Sequence, residues 1–216
     1  IPDNKRIFTI ENGSRELALV RYQDGRICNS VIHTLTRDSE NERQRIDQTS
    51  LLDMSLRFNP DVLVVGEMRG AEANAAQEAA RTGVAVLTTI HSNSCEATYR
   101  RMVSLCKRAV DMSDETLMGY VTEAYPIIVF CKQLENKSRR VMEIMECEIL
   151  PDGSRNFRPL FQYAITENRV ENGKFIISGQ HGVVQGISRS LQKRFLENGM
   201  PQDTLKQILA MGGADL

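Results

Sequence analysis

Residues 59–83, NPDVLVVGEMRGAEANAAQEAARTG, constrain the fold more than any other stretch of the chain. The run 61–65 opens on Asp61 and then carries apolar side chains at four successive positions, 62–65, rather than alternating ones. A strand of that kind is buried on both faces, which a parallel sheet achieves when helices cover it. Gly66 breaks the run and Glu67 places a carboxylate at its end. The alanine-rich stretch from about residue 71 to 82 then reads as a helix, with Gly83 as its C-cap. A second apolar run, VAVLTTIHS, follows at once and also ends in polar groups. Strand, turn, helix and strand in this order predict a parallel α/β sheet.

The flanking segments fit that frame. Residues 5–11, KRIFTIE, read as a strand stopping at an acid. ELALVRY and ICNSVIHTL read as two more strands, split by a turn at Gln23-Asp24-Gly25. Residues 36–48 are charged and apolar-poor, the pattern of a mobile loop. Residues 49–58 place Leu51, Leu52 and Leu56 at helical spacing, with Thr49 or Ser50 as N-cap and Asn59-Pro60 as the stop. Helices are expected at 95–109 and 113–124, and strands at 125–131, 140–150, 157–165 and 174–178. Two helices, 184–198 and 201–211, close the chain. The first of these carries an apolar stripe, Ile187, Leu191, Phe195 and Leu196, read as intramolecular core.

With 216 residues the chain can build one core plus a small appended subdomain. A net charge of −1 supplies no global field for nucleic acid or anionic lipid. No apolar run approaches the roughly 20 residues that span a bilayer, and no secretory signal pattern is present. The chain starts Ile1-Pro2-Asp3 without Met, as expected of a piece of a longer protein. Cys28, Cys95, Cys106, Cys131 and Cys147 form no C-x-x-C pair, which fits a reducing cytosol. His91 and Cys95 are four apart and could share a helix face, but no second pair completes a zinc site. Cys95, Cys106, Met142 and Met145 read as core. The Asn-x-Ser sequons at 12–14 and 136–138 carry no meaning in a cytosolic protein.

Ligands of open α/β sheets sit beyond the carboxyl ends of the strands. Three strands here end in suitable groups: Glu11-Asn12, Gly66-Glu67, and Thr88-Thr89-Ile90-His91. A carboxylate there can polarise water or hold Mg²⁺ through its hydration shell. Hydroxyls and a histidine can contact a phosphate or the attacking water. Taken singly, each has a plainer reading. Glu67 could cap the following helix, His91 could be a hydrogen-bonded structural histidine, and Arg69 could be a surface ion pair.

Taken together, IFTIEN, RFNPDVLVVGEMRGAEA and TGVAVLTTIHSNS resemble the acidic, Walker B and histidine boxes of the secretion traffic ATPases. These are the hexameric motors of type II and type IV secretion, type IV pili and tight-adherence (Flp) pili. The likeness covers roughly residues 1–110. Further on, SGQHGVVQGISRSLQKRFLENGMP resembles the C-terminal tail of the tight-adherence branch. The resemblance implies an α/β, RecA-like P-loop NTPase core over 1–131, truncated at its N-terminus. It also implies a small C-terminal α+β extension over 132–216 that contributes to subunit contacts. The core would have a mainly parallel sheet with flanking helices. ATP and Mg²⁺ are the implied cofactors. The implied partners are a homo-hexamer and an inner-membrane platform protein, with no direct nucleic-acid contact. The implied location is the cytoplasmic face of the inner membrane.

The implied roles follow residue by residue. Glu67 orients or deprotonates the hydrolytic water, and Gly66 lets the backbone turn close to the phosphates. Arg69 and Gly70 support the turn into the helix. Glu11 acts beside the metal, through water, and Thr88 and Thr89 contact the cofactor. His91 senses the γ-phosphate or links it to a neighbouring subunit. Arg37 serves as arginine finger.

Departures from the family pattern matter too. No G-x-x-x-x-G-K-[ST] loop is present; the only Gly-Lys, Gly173-Lys174, is followed by Phe175. The family places that loop directly upstream of the acidic box. The chain is therefore expected to start just after it and to bind nucleotide poorly by itself. The acidic box usually reads Glu-Asp, and here it is Glu11-Asn12. His33, Thr49 and Asp53 stand where relatives often carry arginine, while Arg37 and Arg57 remain and Arg43 and Arg45 lie in the loop. An arginine finger can be worth roughly 10³–10⁵ in rate. That pattern keeps a second reading open, a non-catalytic oligomerisation or docking subunit of a secretion complex. A third, a RecA-like ATPase working on DNA, is disfavoured by the net charge and by 6% aromatic content.

Overall fold

The computed structural model describes residues 1–211. It divides into two compact units, residues 1–91 with 99–125, and residues 92–98 with the chain from Pro126 onward.

The first unit contains strands β1 (Arg6–Glu11), β2 (Tyr22–Gln23), β3 (Arg26–Ile27) and β4 (Ser30–Leu35). Helix α1 (Gln48–Ser55), strand β5 (Val62–Val65), helix α2 (Glu72–Arg81) and strand β6 (Ala85–Thr88) follow. Helix α3 (Cys95–Cys106) starts in the second unit and ends in the first, and α4 (Asp114–Ala124) completes it. The main sheet has the order β4-β1-β5-β6 and every pairing is parallel. The fold is thus the α/β architecture expected. Register sets Glu11 opposite Leu35, Ile10 opposite Val65, and Val65 opposite Thr88. The carboxyl ends of all four strands are therefore level, and the polar groups that terminate them form one edge.

The core behind that edge is apolar. Ile7, Phe8, Ile10, Leu63, Val65 and Met68 are buried, each contributing about 1.5–3 kcal/mol of hydrophobic burial. Alanines 73, 76, 79 and 80 of α2 are buried as well. Their lack of bulk explains the alanine-rich sequence: α2 packs against both α1 and α4.

Several local expectations change. The N-cap of α1 is Asp47, whose side chain accepts from the Ser50 amide at 2.8 Å. Thr49 and Ser50 fall inside the first turn, because a carboxylate one turn earlier already serves the free amides. The helix ends through a 3-10 turn, Leu56–Phe58, with Asn59 left-handed at φ 51°. ELALVRY is not a strand. Only Tyr22 and Gln23 pair, with Ile27 and Arg26, and all four are exposed. Residues 36–48 are tied down by an Arg37–Ile46 bridge, with the Arg37 amide donating to the Ile46 carbonyl at 2.9 Å. His91 lies ahead of α3, so it shares no helix face with Cys95.

The second unit holds an antiparallel sheet, order β10-β9-β8-β7. Its strands are β7 (Ile127–Gln133), β8 (Arg139–Ile149), β9 (Arg155–Glu171) and β10 (Lys174–Val183). β9 and β10 run well past the predicted limits. Beyond Gln162, β9 pairs with β10 alone. The hairpin closes at Asn172-Gly173, both at positive φ, the geometry that favours a tight two-residue turn. Helices α5 (Arg189–Glu197) and α6 (Gln202–Met211) follow. Residues 184–188 are not helical as predicted. Ser188 caps α5, and its amide donates to Oε2 of the buried Glu146 at 2.9 Å, fixing the helix start. Of the predicted stripe, Leu191 is buried and Leu196 is exposed. Cys95, Cys106 and Met145 are buried as expected.

Candidate active site

Each site residue owes its place to a strand end. β1 delivers Glu11, β5 delivers Gly66 and Glu67, and β6 delivers Thr89 and then His91. The edges are laced by backbone and hydroxyl bonds. The Gly66 amide donates to the Ile10 carbonyl at 2.8 Å and the Met68 amide to the Thr89 carbonyl at 2.9 Å. Thr89 Oγ1 donates to the Gly66 carbonyl at 2.7 Å. The result is a cavity of about 380 Å³ lined by Glu11, Asn12, Gly66, Glu67, Arg69 and Thr89, with residues of the 14–17 loop.

Glu67 is one-quarter exposed. Arg69 Nη2 lies 2.5 Å from its Oε2, and His91 Nε2 lies 3.0 Å from its Oε1. His91 is 88% exposed, and Oε1 itself accepts no aligned hydrogen bond. The Arg69 hydrogen bond holds the Glu67 carboxyl below the usual carboxylate range, against a smaller opposing effect of burial. Gln48 Nε2 donates to the Glu67 carbonyl at 3.0 Å, so the base of α1 steadies the turn.

Glu11 is almost fully buried at 4% exposure. Its Oε1 accepts from the Glu16 and Leu17 amides at 2.7 and 2.8 Å. Its Oε2 is buried without a hydrogen-bond partner, and His33 Nδ1 is 4.0 Å away. His33 instead meets Thr9 Oγ1 at 3.0 Å. Burial, with Arg15 nearby, lowers the His33 pKa, so its imidazole favours the neutral form.

The structure therefore brings Glu11, Gly66, Glu67, Arg69 and Thr89 to one cavity, with His91 against Glu67. Other predicted residues stand apart. Thr88 Oγ1 donates to the Thr89 carbonyl at 3.3 Å. Arg37 Nε donates to the Gln44 carbonyl at 2.6 Å and lines a neighbouring cavity of about 410 Å³ with Arg45, Asp47 and Gln48. Asn12 lines both cavities. Gly66 has no left-handed φ, and an added Cβ would meet its neighbours no closer than 3.5 Å. The backbone bends at Gly66 without a left-handed φ, and its missing side chain leaves room at the cavity wall.

One organising residue escaped the sequence. Glu72 Oε1 accepts from the Arg69 and Gly70 amides at 2.6 and 2.7 Å, holding the turn that presents Glu67. Its carboxylate packs so close to Gly70 that a Cβ there would lie 2.8 Å from Oε2. An acid in the first turn of a helix was the signal available. Among the described residues, no cluster of His, Cys, Asp and Glu has metal-site geometry.

The fold and this edge define a class, an α/β domain whose ligand site lies at the carboxyl ends of a parallel sheet. The family model described as "Type II/IV secretion system protein" matches residues 1–185, and the chain belongs to that family. The type IV pilus assembly ATPase PilB of Pseudomonas aeruginosa is 42% identical over 179 residues, 82% of this chain and 31% of the relative. The conjugal transfer protein TrbB of Rhizobium radiobacter is 34% identical over 104 residues, 48% of this chain and 31% of the relative. Among solved structures, the VirB11 ATPase of the Brucella suis type IV secretion system superposes with a TM-score of 0.53 at 21% identity. It covers 68% of this chain and 41% of that one, a likeness of fold. This chain thus spans about a third of the length of those two relatives.

Proposed function

We propose that the protein is part of an ATP-hydrolysing motor for secretion, pilus assembly or conjugative transfer. The observation that carries this is the pair of carboxylates, Glu11 and Glu67, lining one cavity with a buried oxygen on each left without a hydrogen bond. Buried acceptors without partners are uncommon and call for an explanation. A hydrated Mg²⁺ and an attacking water supply the missing donors.

The donor set fits that half of the chemistry. It does not by itself fit a triphosphate, because Arg69, among the described residues the one cation lining the cavity, is already neutralised by Glu67. Further phosphate-binding donors, such as a Gly-rich loop, would complete the cradle in the whole protein, and this chain alone is expected to turn over no ATP. ATP with Mg²⁺ supplies the transferable phosphoryl group. Glu67 orients the water and accepts its proton at Oε1. Glu11 holds the metal's hydration shell, with Oε1 anchored by two backbone amides. Thr89 fixes the β5 turn, and His91 reports on the state of Glu67. Gly66 leaves space at the wall, and Arg69, Gly70 and Thr88 support the site. Arg37 reaches a neighbouring subunit of a homo-hexamer.

The units of function are 1–131 and 132–216, the second serving subunit contacts. The motor works at the cytoplasmic face of the inner membrane against a platform protein. No helix among the described residues is long and apolar enough to cross a membrane. The tight-adherence branch is favoured by the tail motif beginning SGQHGVVQG.

The test compares this chain with the full-length protein containing the upstream loop. Turnover by the full-length form only, lost by about 10²–10⁴ in Glu67→Gln, is expected. An assembled full-length protein without Glu67-dependent hydrolysis overturns the reading in favour of a docking subunit.

A further inference from the structure

A cavity of about 560 Å³ lies in the second unit and contains none of the groups discussed above. Arg139, Arg140, Val141, Tyr163, Gly179 and His181 line it, with Ile177 and Ser178. Its size falls in the range of small-ligand sites, about 300–1,000 Å³. Three features of its wall concern ligand chemistry.

The first is charge. Arg140 stands directly across from Lys132 in the β7–β8 ladder, which puts the two side chains on one face. Arg139 lines the cavity beside Arg140, while Lys132 lies outside its lining. Among the described residues none of the three has an acidic partner. The nearby Glu167 is engaged by Arg169 at 2.7 Å and Ser178 at 2.9 Å. Two lining arginines without an acid suit a dianion better than a single carboxylate.

The second is a flat aromatic wall. His181 stacks on Phe161 with centroids 5.4 Å apart and meets Tyr163 at 4.8 Å. Its Nε2 lies 3.1 Å from the Val141 carbonyl, which fixes the ring plane. The Arg140 guanidinium sits 5.9 Å from the Tyr163 ring centre.

The third is Gly179. A bulge interrupts the β9–β10 register between Ser178 and Gly179. A Cβ at 179 would lie 2.3 Å from the Ala164 carbonyl oxygen and 2.8 Å from the Tyr163 ring. Only glycine lets the tyrosine lie against the strand and form the floor. Bulges of this kind re-aim side chains at sites.

We propose that this groove binds a soluble phosphate monoester carried on a flat heteroaromatic group, a mononucleotide. Arg140 and Arg139 take the phosphate, and His181 with Tyr163 takes the base. The site is separate from the proposed hydrolytic edge and stands whether or not that edge hydrolyses ATP.

The chain has three histidines, and only His181 belongs to this unit. Titration of the 216-residue chain with adenosine 5′-monophosphate, followed by the histidine ring NMR signals, therefore reports the location directly. A saturable shift of His181, with His33 and His91 unmoved, is expected. Arg140→Ala should weaken that binding about tenfold or more, and Arg140→Lys less. Adenosine and ribose 5-phosphate, each with half of the chemistry, should both bind more weakly than the nucleotide. A silent His181, a shift at His91 instead, or affinity indifferent to Arg140 overturns the proposal. So does Arg140-dependent pelleting with vesicles of phosphatidic acid and phosphatidylcholine in the absence of any nucleotide response, which would assign the groove to a lipid headgroup.

Discussion

Two buried glutamates, one in each sheet, show opposite solutions to the same problem. Glu146 in the antiparallel sheet is 1% exposed and Glu11 in the parallel sheet 4%. Ser188 serves both oxygens of Glu146, its amide reaching Oε2 at 2.9 Å and its hydroxyl reaching Oε1. Arg158 Nε stands 4.0 Å from the same carboxylate. Glu11 has one oxygen fully bonded and the other with no hydrogen bond. A buried acceptor without a partner costs about 1–3 kcal/mol. The protein removes that cost where the acid only fastens a helix to a sheet. It retains it where the acid lines a cavity, and the difference separates an architectural carboxylate from one proposed to work.

The comparison predicts how each acid responds to change. The largest effect is the loss of turnover in Glu67→Gln already described. Next comes the same isosteric change at the two buried positions. Glu11→Gln in the full-length protein should lower turnover about a hundredfold and change unfolding free energy by less than about 1 kcal/mol. Glu146→Gln should reverse the pattern. Loss of charge-assisted bonds and of the Arg158 partner should destabilise by about 2–3 kcal/mol, with turnover per folded molecule unchanged. Denaturant unfolding beside steady-state hydrolysis decides it. Equal stability losses at both sites would erase the distinction.

A smaller effect concerns the turn. Gly70→Ala would press a methyl group against Glu72 Oε2. The carboxylate can retreat only by giving up its bonds to the Arg69 and Gly70 amides. A loss of about 1–2 kcal/mol is expected. Glu72→Gln should recover none of it, since the amide has the same reach. Full stability in Gly70→Ala would show that Glu72 does not hold the turn.

What the sequence disclosed and what it hid follow from how far apart the partners lie. The buried run 61–65 and the acid after it are local facts, and the parallel register then levels Glu11, Gly66 and Thr89 on one edge without further information. The anchoring of Glu11 by the amides of Glu16 and Leu17 depends on a loop path that composition does not encode. Glu146 and Ser188 are 42 residues apart, so the cause of the late start of α5 is invisible along the chain. The length of β9 and β10 was hidden for a related reason. Beyond Gln162 they support only each other, and polar residues such as Asn168 and Arg169 mask their alternation. Arg37, expected as an arginine finger, donates its Nε to the Gln44 carbonyl, a loop contact that composition does not encode.

The smallest predicted effect tests whether Arg69 belongs to the working side of this comparison. Arg69 is 69% exposed, so its pair with Glu67 is screened by solvent and adds little to stability. Arg69→Ala should leave unfolding almost unmoved. Its mark should appear in the pH profile of the full-length enzyme. The Arg69 hydrogen bond depresses the Glu67 pKa. Glu67 must be ionised to accept a proton, so the acid limb of the rate profile follows that pKa. Removing Arg69 raises it, and the limb should move to higher pH, toward the ordinary carboxylate value near 4.5. The stability linkage has a matching sign. A depressed folded pKa stabilises above the unfolded value, and this is lost as pH falls through the folded one. The variant should therefore lose the corresponding small acid-side slope in stability. A shifted acid limb with unchanged neutral stability makes Arg69 a tuning partner of Glu67. An unmoved limb makes the pair an ordinary surface contact and leaves Glu67 to be set by His91 and burial alone.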